Sequence, residues 1–460
     1  MELKITETNR GKKSLLYEGF SFRVSIQMKK TNDITWRCTV KTCKASVKTD
    51  SDCTVVISEN NEHNHDSDQR KIERKTVRCA VKRKACEDIC ARPSKVLRTE
   101  LQNVQEDTLT TTDLKSLSMA IYRERRKKYP TLPKSRADVH ESIKKILIET
   151  SKSELFCLSN DAESGIIIFS CVSNLEVLCK IVNEIFIDGT FKCCPKFFEQ
   201  LYTIHGFKNG HYIPLVYALL PSKSENTYVT FMSILCKLCE DKNLQFKPKL
   251  IHVDFEMAMH NTVRRIFPDS TIQCCRFHLG QAWWRKIQKL GLSSEFKDKS
   301  SEIGIWLKHF FGIPFLAADD VGDCFVTDIM SFIPDDQRCI AFADYMVDYY
   351  LTPESVYPPI LWASVPSAEA IRTTNGPESF HAHYNEQFYS AHPSIFIFLD
   401  VLLKIQITTY IKCRGLGTQA TQRRSEKEKV LDLMQKHTKF MAGDIDRRQF
   451  IKAIGFKYLP

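Results

Sequence analysis

The chain has 460 residues, of which 43% are hydrophobic and 26% charged. That is ordinary for a globular protein with a sizeable core and long enough for two to four domains. The opening MELKITETNR reads as polar, without an apolar signal segment. The longest apolar stretch, SIFIFLDVLLKI at 394–405, is broken by Asp400 and falls short of the ~20 residues of a membrane span, so secreted and membrane-spanning classes are not expected. The net charge of +11 lies wholly in the first third: residues 1–150 hold 32 Lys and Arg against 21 Asp and Glu, and residues 151–460 hold 34 of each, which points to a polyanion-binding arm.

Residues 1–68 read as a small β module. SLLYEGFSFRVSIQM, ITWRCTV and CTVVISEN are rich in β-branched and aromatic residues and are separated by polar turns. The module carries two ligand pairs, Cys38 with Cys43 and His63 with His65. Two soft or borderline pairs suit one structural, tetrahedral zinc ion, and a domain of about 65 residues buries too little surface to fold easily without such a staple. On an extended strand His63 and His65 would point to the same face. The remaining cysteines among the 18 show no secreted framework and read as reduced thiols of an intracellular protein.

FSFRVSI, WRC, the Cys-Lys-Ala at 43–45 and His-Asn-His over about residues 10–66 resemble the FLYWCH-type zinc finger, a β-sheet DNA-binding module. The resemblance implies Cys38, Cys43, His63 and His65 as the zinc ligands and Trp36 as the core tryptophan. DNA contact is then expected from Arg37, Lys41 and Lys44 on the sheet. Residues 69–150 read as a basic, partly helical linker with one or two helices. Lys82, Arg83 and Lys84 in VKRK, and Arg125, Arg126, Lys127 and Lys128 in RERRKKYP, extend the expected DNA surface, and both clusters are weak signals for the nucleus.

Residues 151–290 alternate between strand and helix periods. GIIIFSC, EIFIDGTF, EQLYTIHGF and HYIPLVYALLP read as strands, NTYVTFMSILCKLCEDKN as a helix, and then KLIHVDF, EMAMHNTVRRIF, TIQCCRF and GQAWWRKIQKL as strand, helix, strand, helix. This is an α/β pattern with mixed pairing. Residues 291–365 read as a helical insertion, 366–412 as the end of the same domain, and 413–460 as a charged helical tail.

Two of these strands end on an acid. Asp188 runs into Gly189 and reads either as a hairpin turn or as a ligand at a sheet edge; Asp254 ends KLIHVDF and reads as a helix cap or a second ligand. A third acid, Glu378, follows Asn375-Gly376-Pro377 in the first turn of a helix, with Asn375 as a supporting hydrogen-bond partner. Acids on neighbouring strand ends repel unless a cation lies between them, and Mg2+ or Mn2+ suits carboxylate oxygens. Two such ions can activate water and stabilise the leaving oxygen in phosphodiester cleavage. Cys275-x-x-His278 has metal-ligand spacing, but two ligands do not close a zinc site, and a buried thiol with a capping histidine fits as well.

DGTFKCCPKFFEQLYTIHGF, GHYIPLVYALLPSKSENTY, VDFEMAMHNTVRRIFP, CCRFHLGQAWWRK and TTNGPESFH, in that order over about 180–385, together resemble the transposase of Mutator-like elements. The resemblance implies a ribonuclease-H-like mixed sheet with an all-helical insertion, behind the small all-β zinc-binding module. It puts an Asp-Asp-Glu triad on Asp188, Asp254 and Glu378, with 123 residues between the last two, and Cys275 and His278 close by as supporting residues. The expected activity is cut-and-paste transposition by two catalytic Mg2+ or Mn2+ ions, with one structural Zn2+ in the finger. Expected partners are double-stranded DNA and, because two ends must be paired, a second copy in a homodimer or higher oligomer; no membrane is expected. A non-catalytic zinc-finger regulator and a ribonuclease on the same fold are the alternatives.

Overall fold

The computed structural model describes residues 3–8, 11–28, 31–102, 104, 108–366, 375–421 and 424–459, apart from the side chains of Lys128, Asn375 and Glu426. The chain forms two compact units, Met1–Leu132 and Pro133–Pro460. No helix among the described residues is long and apolar enough to cross a membrane.

The first unit opens with a six-stranded antiparallel meander: β1 (Lys4–Glu7), β2 (Lys13–Tyr17), β3 (Phe20–Gln27), β4 (Ile34–Cys38), β5 (Ser46–Thr49) and β6 (Val56–Asn60), in that spatial order. The stretch read as one strand candidate, SLLYEGFSFRVSIQM, is a hairpin. Glu18 and Gly19 both have positive φ, 47° and 80°, the two-residue turn whose twist suits a β-hairpin. Leu15, Phe22, Ile34, Trp36 and Val47 alternate inward to a small core, and Trp36 Nε1 donates to Thr49 Oγ1 at 2.9 Å.

The basic segment holds more structure than the one or two helices read from its sequence. Gln69–Glu87, Pro93–Leu101 and Thr111–Lys128 are helices sharing a core of Val77, Val81, Ala85, Val96, Leu97, Leu117 and Ile121. A fourth helix, Arg136–Lys144, belongs to the second unit. The i, i+4, i+8 spacing of Val77, Val81 and Ala85 makes one narrow apolar stripe, easily hidden from a composition count by the surrounding Lys and Arg. Asp113 ties the outer helices together. It caps its own helix through Thr110 and accepts from Arg70 at 2.8 Å and Arg74 at 3.3 Å across the bundle.

The second unit is built on a seven-stranded mixed sheet. Its strands are β7 (Cys157–Asp161), β8 (Ile166–Phe169), β9 (Glu184–Thr190), β10 (Gln200–Lys208), β11 (His211–Leu220), β12 (Leu250–Val253) and β13 (Thr271–Cys274). The spatial order is β13-β12-β9-β10-β11-β8-β7; β12 runs parallel to both β9 and β13, and every other pair is antiparallel. Asn209-Gly210, at φ 50° and 79°, makes the tight turn between β10 and β11. Asp188-Gly189 is not a turn. Both residues lie within β9, opposite Thr203 and Tyr202 of β10, and Gly189 is small because a Cβ there would sit 2.8 Å from Gln200 Oε1 and 3.0 Å from the Tyr202 ring.

Between β13 and the last catalytic-candidate segment, Ser293–Lys297, Glu302–Phe310, Asp320–Cys324 and Gln337–Met346 are helices whose Trp306, Leu307, Phe310, Phe342 and Met346 continue the core of the sheet. The end of the chain is not only a charged tail. The Arg447–Gly455 helix buries Phe450, Ile451 and Ile454, and it lies so close to Glu302–Phe310 that a Cβ on Gly455 would meet the Lys308 carbonyl oxygen at 2.1 Å.

The buried Asp113 yields a pH prediction. The Thr110 hydroxyl first, and then Arg70 and Arg74, hold its carboxyl well below the usual range. A depressed carboxyl contributes stability that is complete above the unfolded value of about 3.9 and is lost as pH falls through the folded value. Thermal melts of the full chain should therefore weaken below about pH 4, and Asp113→Asn should lower the first unit's melting temperature at neutral pH while flattening that acid limb. An acid limb identical in the two proteins would remove Asp113 from it.

Candidate metal centres

In the finger, the chain brings the four expected ligands together. Cys38 ends β4 and Cys43 lies in the loop before β5. His63 and His65 follow β6 in a loop rather than on an extended strand, so loop geometry and not strand alternation aims them. Cys38 Sγ lies 3.3 Å from His65 Nε2, Cys43 Sγ 3.4 Å from His63 Nδ1, and the two ring nitrogens 3.3 Å apart. His65 Nδ1 faces the Asp66 carbonyl at 2.9 Å, which assigns the proton to Nδ1 and frees Nε2 to bind. Asn64 Nδ2 donates to the Thr42 carbonyl, tying the histidine loop to the cysteine loop, and Phe20 stacks on the His63 ring at 3.5 Å. Two thiols and two imidazoles at these separations fit one tetrahedral zinc ion.

Of the expected DNA-facing side chains, Arg37, Lys41, Lys44, Arg83, Arg126 and Lys127 are exposed. Lys82 lies between Glu7 and Glu124, and Lys84 pairs with Glu100 at 2.6 Å. Arg125 is a correction. It is buried, and its guanidinium donates to the carbonyls of Ala85, Asp88 and Ala91, where the Gln69–Glu87 helix runs out of amides. A cation spent on carbonyl oxygens inside the bundle is not available to phosphate. The Lys128 side chain lies outside the described residues.

The second centre is on one face of the large sheet. Ile185 and Ile187 of β9, and Ile251 and Val253 of β12, face the core, so Phe186, Asp188, His252 and Asp254 share the other face. The parallel register pairs Phe186 with His252; two residues further along, Asp188 is still within β9 and Asp254 directly follows β12. Several groups fix this edge. His260 Nε2 donates to the Asp254 carbonyl at 2.7 Å, Tyr357 donates to the Phe255 carbonyl at 2.8 Å, and Tyr228 donates to Glu256 Oε2 at 3.0 Å.

Glu378 arrives from the first turn of the Asn375–Glu386 helix. Its Oε1 lies 3.3 Å from Cys275 Sγ and 4.0 Å from His278 Nδ1, and the same His278 Nδ1 lies 2.6 Å from Asp254 Oδ1. Cys275 directly follows β13, and its amide donates to the Val253 carbonyl. Burial lifts the carboxyls of Asp254 and Glu378 above their ordinary range, and the Asp188 charge adds to the rise of both. Burial opposes a charge on His278, but contacts with Asp254 and Cys275 raise it to about 11. The Asn375 side chain lies outside the described residues.

His381 was not singled out from the sequence. Asp188 Oδ1 accepts from the Gly189 amide at 2.8 Å, and its Oδ2 lies 2.8 Å from His381 Nδ1. His381 Nε2 lies 2.9 Å from Thr203 Oγ1, which donates to the Asp188 carbonyl. The signal was available: His381 is three residues after Glu378 on the same helix, so the two share a face. Of the two aromatic neighbours on the Arg276–Lys289 helix, Trp283 is core and Trp284 packs partly buried against it.

The donor set fits a cation. Glu378 Oε2 is buried without a hydrogen-bond partner, and the ligand atoms of Asp254, Cys275 and His278 all lie within 4.8 Å of one another. Gly376 permits the approach of Glu378, because a Cβ there would fall 2.3 Å from the Tyr212 ring. Gly376→Ala should therefore displace the start of this helix and weaken Mn2+ binding by the full chain at least ~10-fold, a loss of about 1.4 kcal/mol; unchanged affinity in a calorimetric titration would show that the helix position does not matter. In the finger, chelation of zinc should abolish the slow amide exchange of β4 and β5 while leaving that of β9–β12, since a structural zinc site contributes folding free energy directly.

Comparison with known families agrees with this partition. Residues 5–65 match the FLYWCH zinc finger domain. Residues 184–282 match the MULE transposase domain, a span that includes Asp188, Asp254, Cys275 and His278 and stops short of Glu378. No curated protein matches the chain. The protein thus combines an N-terminal FLYWCH zinc finger domain with a MULE transposase domain.

Proposed function

We propose that this protein is a DNA transposase of the Mutator-like kind, with Asp188, Asp254 and Glu378 as its catalytic carboxylates. The observation that carries the reading is the convergence of acids from β9, from the residue after β12 and from a helix more than a hundred residues later, two of them raised by burial and, to a lesser degree, by the charge of the third. The strand order supports a ribonuclease-H-like sheet: an antiparallel β9-β10-β11 meander with β12 and β13 added in parallel on the far side of β9.

Divalent cations bound among the carboxylates would supply Lewis-acid stabilisation to the attacking and leaving oxygens. The chain's own part is positioning. Asp188 is oriented by the Gly189 amide and His381, Asp254 by His260 through its carbonyl, and Glu378 by the Gly376 approach to Tyr212. Such fixed groups spend no reorganisation energy at the moment of reaction. Water attacks a phosphodiester, the bond to the 3′ oxygen breaks, and the freed 3′-hydroxyl attacks a phosphodiester of the target in turn, breaking its bond to the target's own 3′ oxygen, which leaves as a hydroxyl. Arg37, Lys41 and Lys44 on the finger and Arg83, Arg126 and Lys127 on the helices are exposed and would hold phosphates, with pairing of two ends calling for a second copy.

Asp188→Asn keeps the shape of the side chain and removes its charge. It should reduce Mn2+-dependent nicking of plasmid DNA by at least ~100-fold, about 2.7 kcal/mol of barrier, with DNA binding intact. Equal nicking by mutant and wild type would refute the assignment. Binding without nicking by the wild type would favour a non-catalytic regulator, and cleavage of an RNA–DNA hybrid but not of DNA would favour a ribonuclease.

A further inference from the structure

We propose that Cys275 and His278, with Asp254 and Glu378, form a second binding site for a zinc-class ion within the large sheet. From the sequence, Cys275-x-x-His278 offers two ligands and cannot close a tetrahedral site. The fold supplies the other two. Cys275 at the end of β13 and His278 one helical turn later present Sγ and Nδ1 on one side, and Asp254 and Glu378 present oxygens on the other.

The ligand atoms of Asp254, Cys275 and His278 lie within 4.8 Å of one another, and Glu378 Oε1 approaches Cys275 Sγ as the fourth donor. Bonds of about 2.0–2.3 Å at tetrahedral angles put donor atoms about 3.3–3.7 Å apart. The finger of this same chain sets its four donors 3.3–3.4 Å apart along the contacts Cys38–His65, Cys43–His63 and His63–His65. Here Cys275–Glu378, at 3.3 Å, falls in that range, whereas His278–Asp254, at 2.6 Å, is an ion-pair separation that must lengthen on binding, and His278–Glu378, at 4.0 Å, must shorten. The buried, unpartnered Glu378 Oε2 leaves a second oxygen on hand.

The donor types set the class of ion. Sulfur with imidazole and carboxylate selects zinc and its neighbours, whereas Mg2+ takes oxygen ligands and keeps its waters. Binding releases the Cys275 thiol proton and the His278 Nδ1 proton to solvent, since both ligand atoms must be deprotonated to bind. Asp188 stays outside the set, held by Gly189 and His381. A consequence, which rests on the transposase reading, is competition: the zinc-class ion occupies two of the three carboxylates that the hard cations need.

The test is zinc stoichiometry of the purified full chain after dialysis against micromolar zinc. Wild type should retain about two ions per chain, one per four-ligand site. Cys275→Ser and His278→Gln should each retain about one, and Asp188→Asn should keep the wild-type count. Retention of one ion by wild type, or of two by Cys275→Ser, overturns the proposal. Should the variants fail to fold, wild type loaded with Co2+ decides: three thiolate–cobalt bonds are expected, two in the finger and one here, and a charge-transfer band of only two overturns the site. None of these readouts requires DNA cleavage, so loss of the transposase reading leaves the zinc count standing, and the reverse.

Discussion

Burial of carboxyl groups that also feel one another's charge is the constraint at the large sheet: Asp254 and Glu378 are raised by burial first and by the Asp188 charge in addition. Asp188 lies in β9, Asp254 directly follows the neighbouring parallel strand β12, and Glu378 is delivered from far along the chain. Two histidines face the acids. The His278 imidazole lies against Asp254 and close to Glu378, and the His381 imidazole lies against Asp188. Like charges at this spacing are stable only with positive charge among them. The His278 imidazole, raised by its contacts with Asp254 and Cys275, provides some of it, and a divalent cation would provide the remainder. The same burial that makes the acids costly to charge gives them a gain on binding an ion.

The large elements of this arrangement were legible because they rest on local patterns. Alternation in EIFIDGTF and KLIHVDF put isoleucine and valine on one face and the acids on the other, and the Cys and His pairs marked the finger. What failed was the reading of dipeptides and charge runs without their partners. Asp188-Gly189 carries the same turn signal as Asn209-Gly210, yet only the second is a turn; the first is a strand pair in which glycine makes room for the Tyr202 ring. Arg125 sits in a run of cations that looks uniformly solvated, but the helix period turns it inward to three carbonyls. His381 was missed because its role depends on Asp188, almost two hundred residues earlier.

The first unit follows a different economy. A small meander has little core, and Trp36 with a handful of aliphatic side chains is supplemented by a four-ligand centre at its edge. Beside it, three basic helices pack on a thin apolar stripe and leave Arg83, Arg126 and Lys127 outside. Buried or paired cations and exposed ones are thus interleaved along the same helices, which is why net charge alone does not say which of them are exposed.

The account stands or falls on whether the acids share a cation. Anomalous diffraction from a crystal of the full chain soaked in Mn2+ tests this directly. The account predicts a metal peak within bonding distance of Asp188 and of Asp254, with Glu378 completing the cradle. Well-ordered acids with no peak between them, or manganese bound only elsewhere on the chain, would contradict it.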